Sequence, residues 1–294
     1  ASIAAGSSLA VLIPPSATMI IYGVTAEESI GRLFMAGLIP GVLLCILQII
    51  AIWIVVKRHP DYAPMSQKAT WSERWAAVKR GGLIEVIIIF LLAIGGMFIG
   101  WFTPTEAASV GAMGMLLIGI IERKINWQKL MTCLVSSAKL AAMVFFIITC
   151  GTLFGRMFTL STIPTALAKF VTTLDVPSWV LLGIIIIVYL IMGMFIDGIA
   201  IILITVPIFT PILANLGYDG VWYGVLIVLV LCLGGLTPPV GLNCFYMKGF
   251  VKQVPLSTIF AGVVPFCISI VICMILIMIF PGLATWLPTY LYGK

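Results

Sequence analysis

Charge is scarce in this chain. Lys, Arg, Asp and Glu together make up 9% of its 294 residues, where a soluble domain carries about a quarter. With 62% hydrophobic residues and a mean hydropathy of +1.25, there is too little polar surface to coat a globule. A disordered chain would be more polar still. The bilayer is therefore the solvent for most of the molecule, and at about 20 residues per crossing the length allows at most about ten spans. Histidine is nearly absent, and the one present, His59, lies in a charged stretch. The seven cysteines (45, 133, 150, 232, 244, 267 and 273) lie mostly in apolar runs and form no C-x-x-C pair, which argues against a metal centre or a disulfide framework. G-x-S-x-G, H-E-x-x-H, a Cys/His pair and a P-loop are all missing, and Asp197 is the one clear membrane aspartate. An intramembrane enzyme and an ATP-driven pump are not expected. The chain opens at Ala1 inside an apolar run, with no methionine and no charged leader. This reads as a piece of a longer protein, not as a signal peptide.

The charges that are present set the orientation. Sixteen Lys and Arg against ten Asp and Glu give +6. No basic run interleaved with aromatics suggests nucleic acid, so the excess reads as cytoplasmic loops. The first loop, 57–82, carries Lys57, Arg58, Lys68, Arg74, Lys79 and Arg80. Within it Trp71, Trp75 and Val78 fall at i, i+4 and i+7, opposite Lys68, Arg74 and Lys79, which predicts an amphipathic helix lying in the bilayer interface. Arg123, Lys124 and Lys129 form a second basic loop, Lys248 and Lys252 a third. Between the first two, the chain turns outside at Thr103–Pro104. Thr103, Pro104 and Glu106 have the spacing of a capping box with proline at the first helical position, so Glu106 reads as a cap and not as an ion ligand. Snorkelling is the default for Lys139, Arg156 and Lys169, although Arg156 can also meet an anionic substrate.

Two proline pairs, Pro14-Pro15 and Pro238-Pro239, stand 224 positions apart. Each is followed seven residues later by a tyrosine, Tyr22 and Tyr246. Further on, residues 34–40 (F-M-A-G-L-I-P) align with 259–265 (I-F-A-G-V-V-P). The charged loops make run 33–56 travel out to in and run 259–280 travel in to out. Similar sequence in opposite orientation is the mark of inverted repeats in secondary transporters.

The proline breaks carry the chemistry. Consecutive prolines remove backbone donors inside a span. Half-helix ends then offer free carbonyls on one side and unpaired N–H groups with a positive dipole end on the other. Carbonyls with Ser or Thr hydroxyls suit a hard cation, and N–H groups suit an anion. A single kink would read as packing. Two in matching positions, flanked by Gly, Ser, Thr and Asn, favour an ion or substrate site. G-M-F-I-D-G at 193–198 separates two short apolar arms, as a re-entrant hairpin tip does. There Asp197 is an acid in the most apolar part of the chain, either a helix cap, an ion or substrate contact, or both.

The elements I-P-P-S, F-T-P-T-E-A, G-M-F-I-D-G and L-T-P-P-V-G-L-N, in this order, resemble the large membrane subunit of tripartite ATP-independent periplasmic (TRAP) transporters, the DctM-like permeases of the ion-transporter superfamily. The resemblance covers essentially the whole chain. It implies an all-α polytopic fold of the inverted-repeat elevator type, in the bacterial inner membrane. It also implies Na⁺-coupled uptake of organic acids such as C4-dicarboxylates or sialic acids, a small membrane subunit and a periplasmic substrate-binding protein. Carried over residue by residue, one cation site uses Ile13, Pro14 and Ser16. The other uses Gly193 and Asp197 with Thr237, Pro238 and Gly241, and Asn243 belongs to the same motif. Thr237 aligns with Ile13 and Asn243 with Met19, so the two sites need not be equivalent. The family's first hairpin motif is not in this chain. The expected division is 1–56 as the end of a first repeat, 57–82 as the loop with its interfacial helix, and 83–294 as a second repeat. That second repeat holds a hairpin (178–213), a broken helix (221–250) and a final helix (257–281). A free-standing ion-coupled anion carrier or a channel are the competing readings.

Overall fold

A computed structural model describes residues 1–62, 69–161 and 177–293. The expected interfacial Lys68 and the snorkelling Lys169 lie outside the described residues. Thirteen α-helices and one 3₁₀ turn (Pro60–Tyr62) account for the described secondary structure, and no strand occurs there. The helices are α1 (Ser2–Leu12), α2 (Ala17–Ala26), α3 (Ile30–Arg58), α4 (Trp71–Arg80), α5 (Leu83–Ile99), α6 (Pro104–Ile121) and α7 (Trp127–Leu160). They continue with α8 (Ser178–Phe195), α9 (Gly198–Asn215), α10 (Gly220–Leu236), α11 (Leu242–Phe250), α12 (Leu256–Ile279) and α13 (Gly282–Tyr292). Seven of the helical segments are long and apolar enough to cross a bilayer, α1 and α2 counting as one. The molecule is an all-α, multi-pass membrane protein.

The chain forms two compact units, 1–58 with 147–294, and 59–146. The first is organised around α10. Every residue from Val221 to Leu236 is buried, as befits a helix that is apolar on all sides. Its 17 residues span about 25 Å, short of the roughly 30 Å hydrocarbon layer, and α11 continues beyond the proline break. Helices α1, α2, α3, α8, α9, α11, α12 and α13 all pack on it. The ends of the matched elements follow the sequence offset closely. Leu12 and Leu236 end α1 and α10, and Ala26 and Phe250 end α2 and α11. The Cys232 thiol lies 3.9 Å from the Ser8 carbonyl oxygen, a contact between residues 224 apart. Contact between equivalent residues is what a local two-fold relation produces.

Small residues let α3 receive the first break. Gly37 and Gly41 have i, i+4 spacing. The Met19 side chain packs over the first, and a β-carbon on Gly41 would stand 2.7 Å from the Ile13 side chain. Such small-x-x-x-small stripes replace the hydrophobic effect as the basis of close packing between membrane helices. The equivalence stops at the tyrosines. Tyr22 is buried and its hydroxyl donates to the Gly220 carbonyl at 2.7 Å, whereas Tyr246 is exposed.

In the second unit, α5 and α6 form an antiparallel pair. The turn between them closes through Trp101 N–H to the Gly96 carbonyl (2.8 Å) and left-handed Gly100. Thr103 and Glu106 make the expected capping box, with Thr103 N–H donating to Glu106 Oε2 at 2.8 Å. Two boundaries depart from expectation. The second hairpin arm runs to Asn215 and not to 213, and α13 follows the helix that was expected to close the chain. Prolines 281 and 288 obscure α13 in the sequence, yet the first sits at its N-cap, where a missing donor costs little.

Candidate functional site

The second proline break meets the hairpin tip directly. Helix α8 ends at Phe195 and α9 begins at Gly198, because the Asp197 side chain caps α9 by accepting from Ile199 N–H at 3.0 Å. Two glycines then bring backbones together. A β-carbon on Gly234 of α10 would lie 2.8 Å from the Gly193 backbone of α8, so Gly234 has no room for a side chain, and one on Gly193 would be tight at 3.3 Å from Gly234 Cα. Next to this contact, the Gly241 N–H donates to the Met194 carbonyl at 3.2 Å. The hairpin tip is thus hydrogen-bonded to the break in α10–α11. Gly241 holds φ +59, with the Phe260 ring 2.7 Å from where a β-carbon would sit, and only glycine takes this position without strain.

Thr237 lies in the break itself. Its N–H donates to the Gly234 carbonyl at 3.0 Å and its hydroxyl to the Leu233 carbonyl at 2.6 Å. The hydroxyl oxygen keeps acceptor capacity. Pro238 is exposed, and Asn243 folds back over Gly235, its amide nitrogen 3.2 Å from where a β-carbon on Gly235 would be. A cavity of about 450 Å³ opens beside this break, between Thr237, Pro238 and the Phe260, Val264 and Cys267 face of α12. Thr237 is the polar side chain of its lining, so the cavity is not by itself an anion site.

The first break is a separate locus. Pro14 and Ser16 are buried and Ile13 is half-buried against α3. The Ser16 hydroxyl accepts from Met19 N–H at 3.3 Å, capping α2, and Ile13 N–H closes α1 on the Leu9 carbonyl at 2.8 Å. The helices that lead into the two loci, α1 and α10, cross at Ser8 and Cys232. There Gln48 of α3 donates to the Ser8 hydroxyl at 3.0 Å.

The donor chemistry at both loci is neutral oxygen, from hydroxyls and backbone carbonyls, with Asp197 as the one carboxylate at the hairpin tip. No trio of His, Cys, Asp or Glu able to hold a metal occurs among the described residues. Such a set suits a weakly held, hard monovalent cation, not a zinc-type ion. The residues therefore fit Na⁺.

Arg156 lines a different cavity, of about 480 Å³, bounded by Val24, Thr25 and Glu27 of α2 and its cap, Thr149 and Thr152 of α7, and Leu203 and Pro207 of α9. It offers one cation, one carboxylate and three hydroxyls. Close by in sequence, half-buried Glu28 leans over Gly220 at the start of α10. Burial raises its pKa above the usual 4.5, the adjacent Asp219 raises it further, and Arg32 counters.

Sequence reasoning named Gly193, Asp197, Thr237 and Gly241, which lie on the segments that meet at this junction. It did not reach the Met194 carbonyl, whose role is a backbone acceptor and leaves no mark in residue type. Nor did it gather Thr25, Glu27, Thr149 and Thr152 around Arg156, because these come from separate helices. The Gly234-Gly235 pair inside an apolar run was the available signal of a close backbone approach.

The profile of the family described as "Tripartite ATP-independent periplasmic transporter, DctM component" matches residues 1–283. The C4-dicarboxylate TRAP transporter large permease protein DctM of Pseudomonas aeruginosa is 35% identical over 287 residues, covering 97% of this chain and 66% of that protein. The sialic acid TRAP transporter large permease protein SiaM of Vibrio cholerae is 33% identical, covering 99% and 67%. The ectoine TRAP transporter large permease protein TeaC of Halomonas elongata is 34% identical, covering 96% and 65%. The chain thus spans about two thirds of the length of these relatives.

Proposed function

Because the chain belongs to the DctM family of TRAP transporter large components, we propose that it is part of the permease of a Na⁺-coupled, binding-protein-dependent importer of organic acids. In this reading the permease sits in a bacterial inner membrane, pairs with a small membrane subunit, and receives substrate from a periplasmic binding protein. The observation that carries the reading is the junction of the hairpin tip with the broken helix: Gly193 against Gly234, and Gly241 N–H on the Met194 carbonyl. A hairpin bonded to a helix break moves as one body with it. Oxygen donors at the junction bind the coupling ion, and the half-helix N-termini face the substrate carboxylate. The first locus, at Ile13, Pro14 and Ser16, is its repeat-related counterpart. Together with α3 and α12 the two breaks form an inverted repeat, supported by the Ser8–Cys232 contact. Once the ion and the substrate carboxylate offset each other's charge, the body slides across the bilayer.

The test is substrate uptake by the complete permease containing this chain, with its small subunit, in proteoliposomes. The Na⁺ gradient and the binding protein are varied independently. C4-dicarboxylates, sialic acids and ectoine are the first substrates, since relatives carry those names. The expected result is uptake that requires both. Uptake needing Na⁺ alone would make this a free-standing carrier, and flux at channel rates without coupling would overturn the carrier reading.

A further inference from the structure

The second unit gathers three of its four tryptophans and most of its described basic side chains at one end, on two elements far apart in sequence, with Trp101 in the α5–α6 turn at the other end. The first is α4. A complete capping box makes it a defined helix despite its ten residues: Thr70 N–H donates to Glu73 Oε2 at 2.7 Å, and Glu73 N–H to the Thr70 hydroxyl at 3.3 Å. Helix α4 does not continue into the membrane-spanning α5. Gly81 and left-handed Gly82 (φ +67) turn the chain, and the two axes differ by 59°. Val78 is half-buried, whereas Trp71 and Trp75 are 84% and 63% exposed. The Arg74 guanidinium lies 5.5 Å from the Trp71 ring centroid, and Lys79 is exposed beside them in the last turn.

The second element is the turn between α6 and α7. The α5–α6 pair is antiparallel, with Gly114 packed under Ile89, so the end of α6 returns to the level of α4. The Lys124 charge confirms this level, since it feels both Glu122 and Glu85 of the first turn of α5. The turn is rigid. Arg123 takes a left-handed conformation (φ 55), Lys124 N–H bonds the Gly119 carbonyl at 2.9 Å, and Ile125 packs on Gly119. Lys124 Nζ pairs with Glu122 at 2.8 Å, and Lys129 Nζ donates to the Lys124 carbonyl at 3.0 Å. Arg123 is exposed, as is Trp127 at 74%.

We infer that α4 and the Arg123–Lys129 turn together form a binding surface for acidic lipid headgroups of the cytoplasmic leaflet. Three indole rings set the depth, because tryptophan settles at the headgroup level. Arg74, Lys79, Arg123 and Lys129 then meet lipid phosphates, with Lys124 spent on Glu122. Glu73, held in its own cap with its pKa lowered by those hydrogen bonds, keeps its charge and offsets one of these four, which leaves the surface net positive. Charge complementarity selects the occupant. A neutral partner helix would leave four cations facing apolar surface, whereas an anionic leaflet attracts every one of them. Continuity with α5 selects it too, since a helix joined at a sharp angle to a span is held at the bilayer surface.

The test uses the whole chain in nanodiscs containing equal fractions of phosphatidylglycerol and phosphatidylcholine, one or the other brominated on its acyl chains. Subtracting a Trp71→Phe, Trp75→Phe variant isolates the α4 fluorescence from the eight tryptophans of the chain. The expected result is quenching about twofold or more stronger with brominated phosphatidylglycerol. That preference falls to parity in 0.5 M KCl, where screening reaches within about 4–5 Å, and in an Arg74→Gln, Lys79→Gln variant. The salt comparison on unaltered protein stands alone if that variant fails to insert. Equal quenching by both lipids at low salt would overturn the headgroup selection. Absence of α4 quenching by either would mean that another protein covers the helix, and would overturn the surface altogether.

Discussion

One substitution separates the observed role of Asp197 as a cap from the ion-ligand role we propose for it. As a cap it satisfies the Ile199 N–H at 3.0 Å, a role that asparagine fills equally well, whereas alanine forfeits about 1 kcal/mol. As an ion ligand it contributes a negative charge, which asparagine lacks. Asp197→Asn is therefore expected to unfold at the wild-type temperature while the Na⁺ concentration for half-maximal uptake rises about tenfold, equivalent to roughly 1.4 kcal/mol. Asp197→Ala is expected to lose both cap and affinity. Unaltered Na⁺ dependence in the asparagine variant would leave Asp197 as a cap alone.

At the scale of elements, the start of α10 is held against the α2–α3 corner and the end of α12 by opposed effects. The Tyr22 hydroxyl binds the Gly220 carbonyl at 2.7 Å, and Trp222 Nε1 donates to the Ile277 carbonyl at 3.0 Å, both favourable. Glu28 works against them, since burial and Asp219 raise its pKa from 4.5. A carboxyl whose folded-state pKa is raised holds its proton more tightly in the folded protein. Above the raised value the penalty is complete, and below 4.5 it vanishes because both states are protonated. Stability is thus expected to increase as pH falls through the raised value and to level off near 4.5. Glu28→Gln is expected to flatten that segment and raise the unfolding temperature at neutral pH. Thermal unfolding of both proteins across pH 4 to 8 checks the sign, and a parallel pair of curves would sink it.

For the molecule as a whole, the arrangement to test is the two-fold relation of the broken helices. The Cys232 thiol sits 3.9 Å from Ser8, and Cys232 is buried. A Ser8→Cys variant treated with a short membrane-permeant bis-methanethiosulfonate is expected to link residues 8 and 232 through two disulfides, with methanesulfinate leaving at each thiol. After proteolysis in the 59–70 region the two fragments should migrate together without reductant and separate with it. Cleavage into independent fragments under both conditions would show that α1 and α10 do not cross at equivalent positions.

Much of this protein follows from sequence alone. Apolar runs are long enough to be spans, because in lipid every backbone group has to be satisfied within a helix. Thr103-Pro104-Thr105-Glu106 specified its own cap, because the interaction is local to four residues. Proline pairs placed both breaks correctly, since a missing donor interrupts a helix wherever it falls. Tertiary structure decided what these breaks touch. That Gly193 meets Gly234, that the Met194 carbonyl receives Gly241, and that Arg156 shares a cavity with Thr25 and Glu27 depend on helix crossings between distant segments. Packing also separated Tyr22 from Tyr246, identical in sequence position, one buried under α10 and the other exposed. Residue type encodes a helix and its ends through nearby hydrogen bonds. Which helix lies across the break is set by side-chain volume and backbone approach summed over the whole bundle.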